Sequence, residues 1–286
     1  MRLRSLISLL LLRFMKLSVL IPAHNEVGCL EATVSDLIAT LRRGQVCHEI
    51  LIVNDNSSDG TLELCRKLAS KFESVRYVSN QPPNGFGLAV RVGLREFRGD
   101  AVAIVMADGS DDPQDVVSAF RKLEEGYDCA FGSRFLRGSR VVDYPMHKLG
   151  LNRLANWFIK IIFGIRYNDV TNAFKLYRRD VIDGIQPVLS HHFNLTVELP
   201  LKAITRGFSY AVIPIHWYNR KAGISKLKIK EMGSRYLFIV LYVWLEKRLS
   251  RGDYRRGNLV PQVASTNNPP PPGDSGPVVH HELGKT

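Results

Sequence analysis

A chain of 286 residues with 45% hydrophobic content can bury a substantial core, and its composition is ordinary for a globular protein. Four cysteines (Cys29, Cys47, Cys65 and Cys129) with no CxxC spacing exclude a disulfide framework and point to a reducing cytosol. The net charge of +12 is concentrated: residues 1–132 carry 15 Lys and Arg against 17 Asp and Glu, residues 133–258 carry 23 against 8, and residues 259–286 carry 1 against 2. The basic region implies an anionic partner, for which nucleic acid, lipid headgroups and phosphorylated substrates all qualify on charge.

In chain order, Met1-Arg2-Leu3-Arg4 and the Leu-rich stretch after it imitate a signal peptide. Arg13 interrupts that stretch and no small-residue cleavage site follows. Met15 would serve equally well as a start, so residues 1–14 read as a mis-called extension, with a short membrane-attracted segment as the alternative. From there to residue 125, strands and helices alternate in the βαβ manner. A strand over 17–21 ends at Pro22-Ala23-His24-Asn25-Glu26 and leads to a helix over 26–41, with Leu30, Val34, Leu37, Ile38 and Leu41 at helical spacing. A strand over 49–53 ends at Asn54-Asp55-Asn56-Ser57-Ser58-Asp59-Gly60-Thr61, a loop dense in turn and capping residues before a helix to 72. After a short strand over 75–78, Asn84-Gly85-Phe86-Gly87 opens a helix whose small Ala89 and Gly93 permit close packing.

Residues 101–105 form an apolar run, as expected of a strand buried on both faces. It ends at Met106-Ala107-Asp108-Gly109-Ser110-Asp111-Asp112-Pro113. Asp112 before Pro113 reads as the N-cap of a helix to about 125. Asp108 lies directly at the carboxyl end of a central strand, where open α/β sheets place ligands, and an oxygen donor there suits a hard cation and the phosphates it carries. The loops form a nucleotide site in outline, without GxGxxG or a Walker motif.

These loops, together with Gly132-Ser133-Arg134, Asp169-Val170-Thr171-Asn172 and Arg220-Lys221-Ala222-Gly223-Ile224-Ser225-Lys226, resemble family 2 glycosyltransferases. The branch they resemble is the dolichyl- or polyprenyl-phosphate mannosyltransferase type, and the likeness covers residues 17 to about 250. It implies an α/β fold of the GT-A, Rossmann-like kind: a mixed, mostly parallel central sheet flanked by helices, with C-terminal interfacial helices. The catalytic domain would span 15–256, with a nucleotide-binding half over 17–132 and an acceptor- and membrane-facing half over 133–256.

The resemblance also implies roles. Asp55 would bind the nucleotide base in a pocket lined by Pro22, Ala23 and Glu26, and Asn25, Asn84, Gly85, Gly87 and Ala107 would complete the nucleotide-sugar site. Asp108, with Ser110, would hold Mg²⁺ or Mn²⁺ on the donor diphosphate. Arg220 and Lys226 would grip that diphosphate, while Arg134, Lys148 and Asn152 take the acceptor phosphate. The family usually has Asp-x-Asp, but Met106 fills its first position here. It usually has Gln where Ser110 stands, and Asp111 is the carboxylate able to compensate. A polyprenyl phosphate brings an ionised nucleophile, so cationic donors suffice and no general base is needed.

Residues 149–167 and 236–245 combine aliphatic and aromatic residues with basic flanks, and both are too short to cross a bilayer. They read as interfacial helices, with an ordinary core helix as the competing reading of the second. Glu198 reads either as a structural partner of an arginine or as part of the site. Residues 257–286, with Pro269-Pro270-Pro271-Pro272, read as a disordered tail. The reading is an inverting glycosyltransferase moving a mannose- or glucose-type sugar from a GDP- or UDP-sugar to polyprenyl or dolichyl phosphate. It would lie peripherally on the cytoplasmic face of a membrane with an anionic surface, with room for an unidentified membrane-protein partner. The alternatives are transfer to a lipid or saccharide hydroxyl, and a catalytically weak binding homologue. Nucleic acid is not expected, because no nucleic-acid motif accompanies the charge.

Overall fold

The computed structural model describes residues 15–144, 146–219 and 229–258, without the side chains of 147, 148 and 229–232. The expectations for residues 1–14, Arg220, Lys226, the Lys148 side chain and the tail from 259 onward lie outside these described residues.

Four strands, β1 (Leu17–Ala23), β2 (His48–Asn54), β3 (Val75–Ser79) and β4 (Ala101–Ile104), alternate with helices α1 (Leu30–Arg43), α2 (Thr61–Lys71) and α3 (Phe86–Glu96). Helix α4 (Pro113–Glu124) leads to β5 (Cys129–Ser133) and β6 (Arg140–Val142). Then come α5 (Met146–Phe163), β7 (Lys175–Arg178), α6 (Arg179–Gly184), α7 (Leu195–Thr205), β8 (Tyr210–Pro214), β9 (His216–Tyr218) and α8 (Ile229–Leu249). The main sheet has seven strands in the order β3-β2-β1-β4-β7-β5-β8. Strand β7 runs antiparallel to β4 and β5, and the other pairings are parallel. A second, two-stranded sheet pairs β6 with β9. The mixed, mostly parallel sheet is as expected, and it runs through both halves of the catalytic region without a break.

Strand β1 pairs with β2 on one side and β4 on the other, so the strand order reverses around it. A crevice at such a reversal is where open sheets bind ligands. Side chains alternate across β1: Leu17, Val19 and Ile21 join a core with α1, α2 and α4, while Leu20 joins a second core with α3, α5, α7 and α8. At the opposite rim, a buried polar knot closes the sheet. The Ser18 hydroxyl donates to Glu49 at 2.6 Å, and the backbone N–H groups of Arg98 and Gly99 donate to Glu49 and to the Ser18 oxygen.

Three boundaries differ from the sequence reading. Helix α1 starts at Leu30 rather than 26: Asn25 takes a left-handed φ of 53°, and the chain turns first, with the Cys29 N–H bonded back to the Glu26 carbonyl at 3.1 Å. Helix α5 starts at Met146 and ends at Phe163, short of residue 167. Helix α8 has 21 residues, not ten.

Close approach of α3 to β1 depends on Gly93, as its small size led us to expect. A Cβ there would lie 2.0 Å from Leu20 Cδ1. Gly150, on the exposed side of α5, would meet nothing within 4 Å. Gly93→Val should therefore cost about 1–3 kcal/mol through overpacking, whereas Gly150→Ala should stabilise by about 0.5–1 kcal/mol. Urea unfolding of the two variants measures both signs.

Candidate active site

The carboxyl ends of β1, β2 and β4 bring their three loops to one rim. Pro22 and Ala23 are buried at the end of β1, and Ala23 accepts a hydrogen bond from the Asp55 N–H at 2.8 Å. Asn25 ties the first loop to the second: its side-chain oxygen accepts from the Ser58 N–H at 2.8 Å, and its own N–H donates to the Ser57 hydroxyl at 3.1 Å. Asp55 is buried, and both its carboxylate oxygens are engaged. One accepts from the Asn80 amide at 2.7 Å, the other from the Gly85 N–H at 2.8 Å. It thus braces the 80–85 loop as well as facing the rim. His24 donates from Nδ1 to the Asp55 carbonyl at 2.7 Å, which fixes its proton on that nitrogen, and Nε2 faces the Asn84 amide at 3.5 Å.

Gly85 and Gly87 have a packing reason that the sequence did not show. A Cβ on either would come within 2.6 Å of the 190–191 backbone, and the Leu88 N–H donates to the His191 carbonyl at 3.2 Å. That backbone is held by Glu198, whose two carboxylate oxygens accept from the Leu189 and Ser190 N–H groups at 2.8 and 2.7 Å. The Glu198 cation partner is Lys202, at 2.7 Å, with both side chains fully buried. Of the two readings of Glu198, the structural one holds, with lysine in place of arginine.

The 106–111 loop is fastened throughout. The Met106 N–H donates to Asp111 Oδ2 at 2.9 Å and the Ser110 N–H to Asp108 Oδ1 at 3.1 Å. The Thr33 hydroxyl donates to the Ala107 carbonyl at 3.0 Å, and the Tyr218 N–H to that of Ser110. Gly109 takes the positive φ of 70° that the turn demands. Asp112 caps α4 as expected, accepting from the Gln114 N–H at 2.8 Å. Behind the loop, Asp115 accepts from the His216 N–H and faces its ring at 3.1 Å, a pairing of residues 101 apart that sequence reading missed.

At the end of β5, Arg134 and Asp169 form a buried ion pair. Backbone N–H, Nε and Nη2 of Arg134 all donate to the two Asp169 oxygens at 2.8–2.9 Å. Burial pulls the Arg134 pKa down, but the charge and hydrogen bonds of Asp169 outweigh it and leave the guanidinium raised above its ordinary value. Nη1 points to the Tyr144 hydroxyl at 3.5 Å, and Asn152 Nδ2 donates to the same oxygen at 3.3 Å. Asn156 and Thr171 extend the network by donating to Asn152 Oδ1.

The family described as glycosyl transferase family 2 matches residues 18–185. The chain belongs to glycosyl transferase family 2. It is 32% identical over 222 residues to the polyprenol monophosphomannose synthase of Mycolicibacterium smegmatis, covering 73% of this chain and 80% of that protein. It is 30% identical over 221 residues to the dolichol-phosphate mannosyltransferase of Pyrococcus furiosus, covering 76% of this chain and 60% of that one, so it spans about three-fifths of that relative. Among solved structures, glucosyl-3-phosphoglycerate synthase from Mycobacterium tuberculosis, in complex with Mn²⁺, UDP-glucose and phosphoglyceric acid, superposes with a TM-score of 0.59. That match is 19% identical and covers 82% of this chain and 79% of that one. The fold of this family 2 member is therefore GT-A.

The expected divalent metal fits one donor well. Asp108 is a carboxylate at the strand end, and Mg²⁺ is commonly held by one or two carboxylates plus substrate phosphates. The Met106 thioether is no ligand for a hard cation. Ser110 contributes its backbone to the loop, and among the described residues no three His, Cys, Asp or Glu gather into a cation cage. Asp108 would hold the metal on phosphate oxygens supplied by the donor.

Asp111, the second carboxylate of the loop, is buried. Burial pushes its carboxyl up to about 7 from 3.8; Asp108 and Asp115 add to the rise, and the Met106 N–H and Arg134 oppose it. A raised acid favours folding while protonated, so its contribution is complete below the unfolded value near 3.8 and is lost as pH climbs through about 7. In excess chelator, the wild-type Tm should fall more steeply between about pH 5 and pH 8 than that of Asp111→Asn, which keeps an acceptor for Met106. Parallel profiles would remove the titration from Asp111.

Proposed function

We propose that this protein is an inverting glycosyltransferase that moves a sugar from a nucleotide-sugar donor to a polyprenyl phosphate at a membrane surface. The observation that carries the reading is the polar cluster Arg134, Tyr144 and Asn152 at the root of α5, a helix whose outward face is apolar. Asn152, Asn156, Ile159 and Phe163 face inward, whereas Leu154, Trp157 and Ile161 are 58–60% exposed. Helix α8 divides the same way, with Ile239, Val240 and Val243 buried and Phe238 61% exposed. The buried face of α8 fits the core-helix reading, and its exposed apolar residues support the interfacial one. Neither helix is long and apolar enough to cross a membrane. The exposed faces with Arg153, Lys160, Arg248 and Arg251 beside them suit attachment in the interfacial plane. The names of the two aligned relatives, both synthases of polyprenol- or dolichol-phosphate sugars, agree with this acceptor.

In this mechanism, the loops around Asp55 and Gly85 hold the nucleoside, and Asp108 is the residue that would hold Mg²⁺ or Mn²⁺ beside the diphosphate. When bound, that metal offsets charge on the leaving nucleotide. Arg134 holds and orients the acceptor phosphate, with Lys148 and Asn152 assisting, while Arg220 and Lys226 secure the donor diphosphate. An acceptor phosphate oxygen, already ionised at neutral pH, attacks the anomeric carbon from the face opposite the nucleotide. No protein base takes a proton. The buried acids of the acceptor half agree with this: Asp169 is spent on Arg134 and Glu198 on Lys202. A hydroxyl acceptor would need a carboxylate free to take its proton. The protein would work peripherally, on the cytoplasmic face.

Incubation with a panel of nucleotide sugars and undecaprenyl or dolichyl phosphate should yield glycolipid. Asp108→Ala should reduce the yield by at least about 100-fold without unfolding the protein, as should excess chelator on the wild type. Full turnover in chelator would remove the metal, and absence of product with every donor would remove the acceptor. Separately, the protein should co-sediment with anionic vesicles at low salt and detach as salt rises. Paired Trp157→Glu and Ile161→Glu changes should abolish sedimentation, and a wild-type protein left in the supernatant would refute the interfacial face.

A further inference from the structure

Tyr144 joins the acceptor network at its solvent side. Its ring lies between Arg134, whose guanidinium carbon is 5.3 Å from the ring centroid, and Trp217, in edge contact at 5.0 Å. Arg134 and Asp169 are buried behind it, while Tyr144 itself is only partly covered. The direction of each hydrogen bond to its hydroxyl follows from chemistry. A guanidinium only donates, so Arg134 Nη1 donates to the phenol oxygen. Asn152 Oδ1 already accepts from the Asn156 amide at 2.6 Å and the Thr171 hydroxyl at 3.1 Å, so its Nδ2 is the group facing Tyr144 and also donates. Both donors thus face the phenol oxygen, at the long distances of 3.5 and 3.3 Å. Its proton has no acceptor among the described residues, and the two donors behind it leave that proton directed away from them.

We infer that the Tyr144 hydroxyl donates this proton as a hydrogen bond to the acceptor phosphate, making it an acceptor-binding residue beyond those the sequence reading named. A phosphate oxygen approaching Arg134 meets a polarised O–H whose oxygen is pinned by a cation and an amide. Hydrogen bonds to charged partners are the stronger kind, and donors held on a rigid ring are placed before the substrate arrives. The ring packing against Trp217 does not need the hydroxyl, although its removal leaves the Arg134 and Asn152 donors without that acceptor, so stability is read beside binding.

The inference rests on the phosphate-acceptor reading, and the experiment distinguishes the two. Steady-state transfer to a short-chain polyprenyl phosphate is measured for wild type, Tyr144→Phe, Asn152→Asp and the double variant, with Tm alongside. Tyr144→Phe should raise the KM for the acceptor about tenfold, leave the nucleotide-sugar KM within about twofold, and lower the Tm only modestly, through the two donors left without their acceptor. Asn152→Asp replaces the donor with a carboxylate that captures the tyrosine proton. It should also raise the acceptor KM, and adding Tyr144→Phe to it should change that KM by less than about twofold. If the wild type transfers sugar to polyprenyl phosphate and Tyr144→Phe shows an unchanged acceptor KM, the role of Tyr144 is overturned while the function stands. Fully multiplicative effects in the double variant would also overturn it. If the wild type transfers to hydroxyl acceptors but to no polyprenyl phosphate, the function falls and this inference with it.

Discussion

A charged guanidinium buried at the end of β5 must be neutralised, and the acceptor half of the protein is built around how Asp169 does it. Taking both ions out of water costs several kcal/mol each, which only good geometry and full hydrogen bonding offset. Here three donors of Arg134 converge on one carboxylate, and the loop that carries Asp169 is itself tied down by the Asn172 side chain and by Lys175. Burial draws the Lys175 amine down to about 7, so its hydrogen bond to the Val170 carbonyl does not depend on a full charge. The pair orients what remains of Arg134 toward Tyr144 and Asn152. It also anchors the turn from which β7 enters the sheet. One ion pair thereby fixes the donors around Arg134 and the neighbouring strand together.

Much of the donor half could be read directly from residue patterns. The loops after β1, β2 and β4 are local: each follows an apolar strand and carries its own turn chemistry, so their convergence on one rim follows from βαβ connectivity alone. Asp112 as a cap and Gly93 as a contact residue needed no partner from elsewhere in the chain. The acceptor half is different, because its determinants pair over long distances. Arg134 with Asp169, Asp115 with His216 and Tyr144 with Asn152 leave no periodic mark in the sequence. Glu198 and Lys202, four residues apart on a helix, were an exception that spacing could have disclosed. The insertion of β7 between β4 and β5 was also beyond reach, since a four-residue strand carries little pattern and nothing local dictates its direction.

The uneven charge of the chain now has a structural counterpart. The acidic balance belongs to the half that, in the proposed mechanism, would hold an anionic donor with the help of a cation. The basic excess belongs to the half that, in the proposed mechanism, would face lipid. Several of its arginines are nevertheless internal: Arg206 is buried against Glu246 at 2.9 Å and Arg179 donates to the Phe97 and Gly99 carbonyls. Net charge therefore overstates the cationic surface, and the groups beside the apolar face of α5 and α8 are the ones that would meet headgroups.

The late arrival of β7 bears on how the chain acquires its fold. Strand β4 ends at Ile104, and its partner on that side begins at Lys175, 71 residues later. At a synthesis rate of roughly 5–20 residues per second, a growing chain waits about 4–14 s before that pairing can form. During this interval the parallel sheet β3-β2-β1-β4 ends in a short strand with unpaired backbone on one side. Such an edge invites pairing with another nascent chain. Pairing with β7 covers that edge and so removes the exposed backbone from competition with other chains.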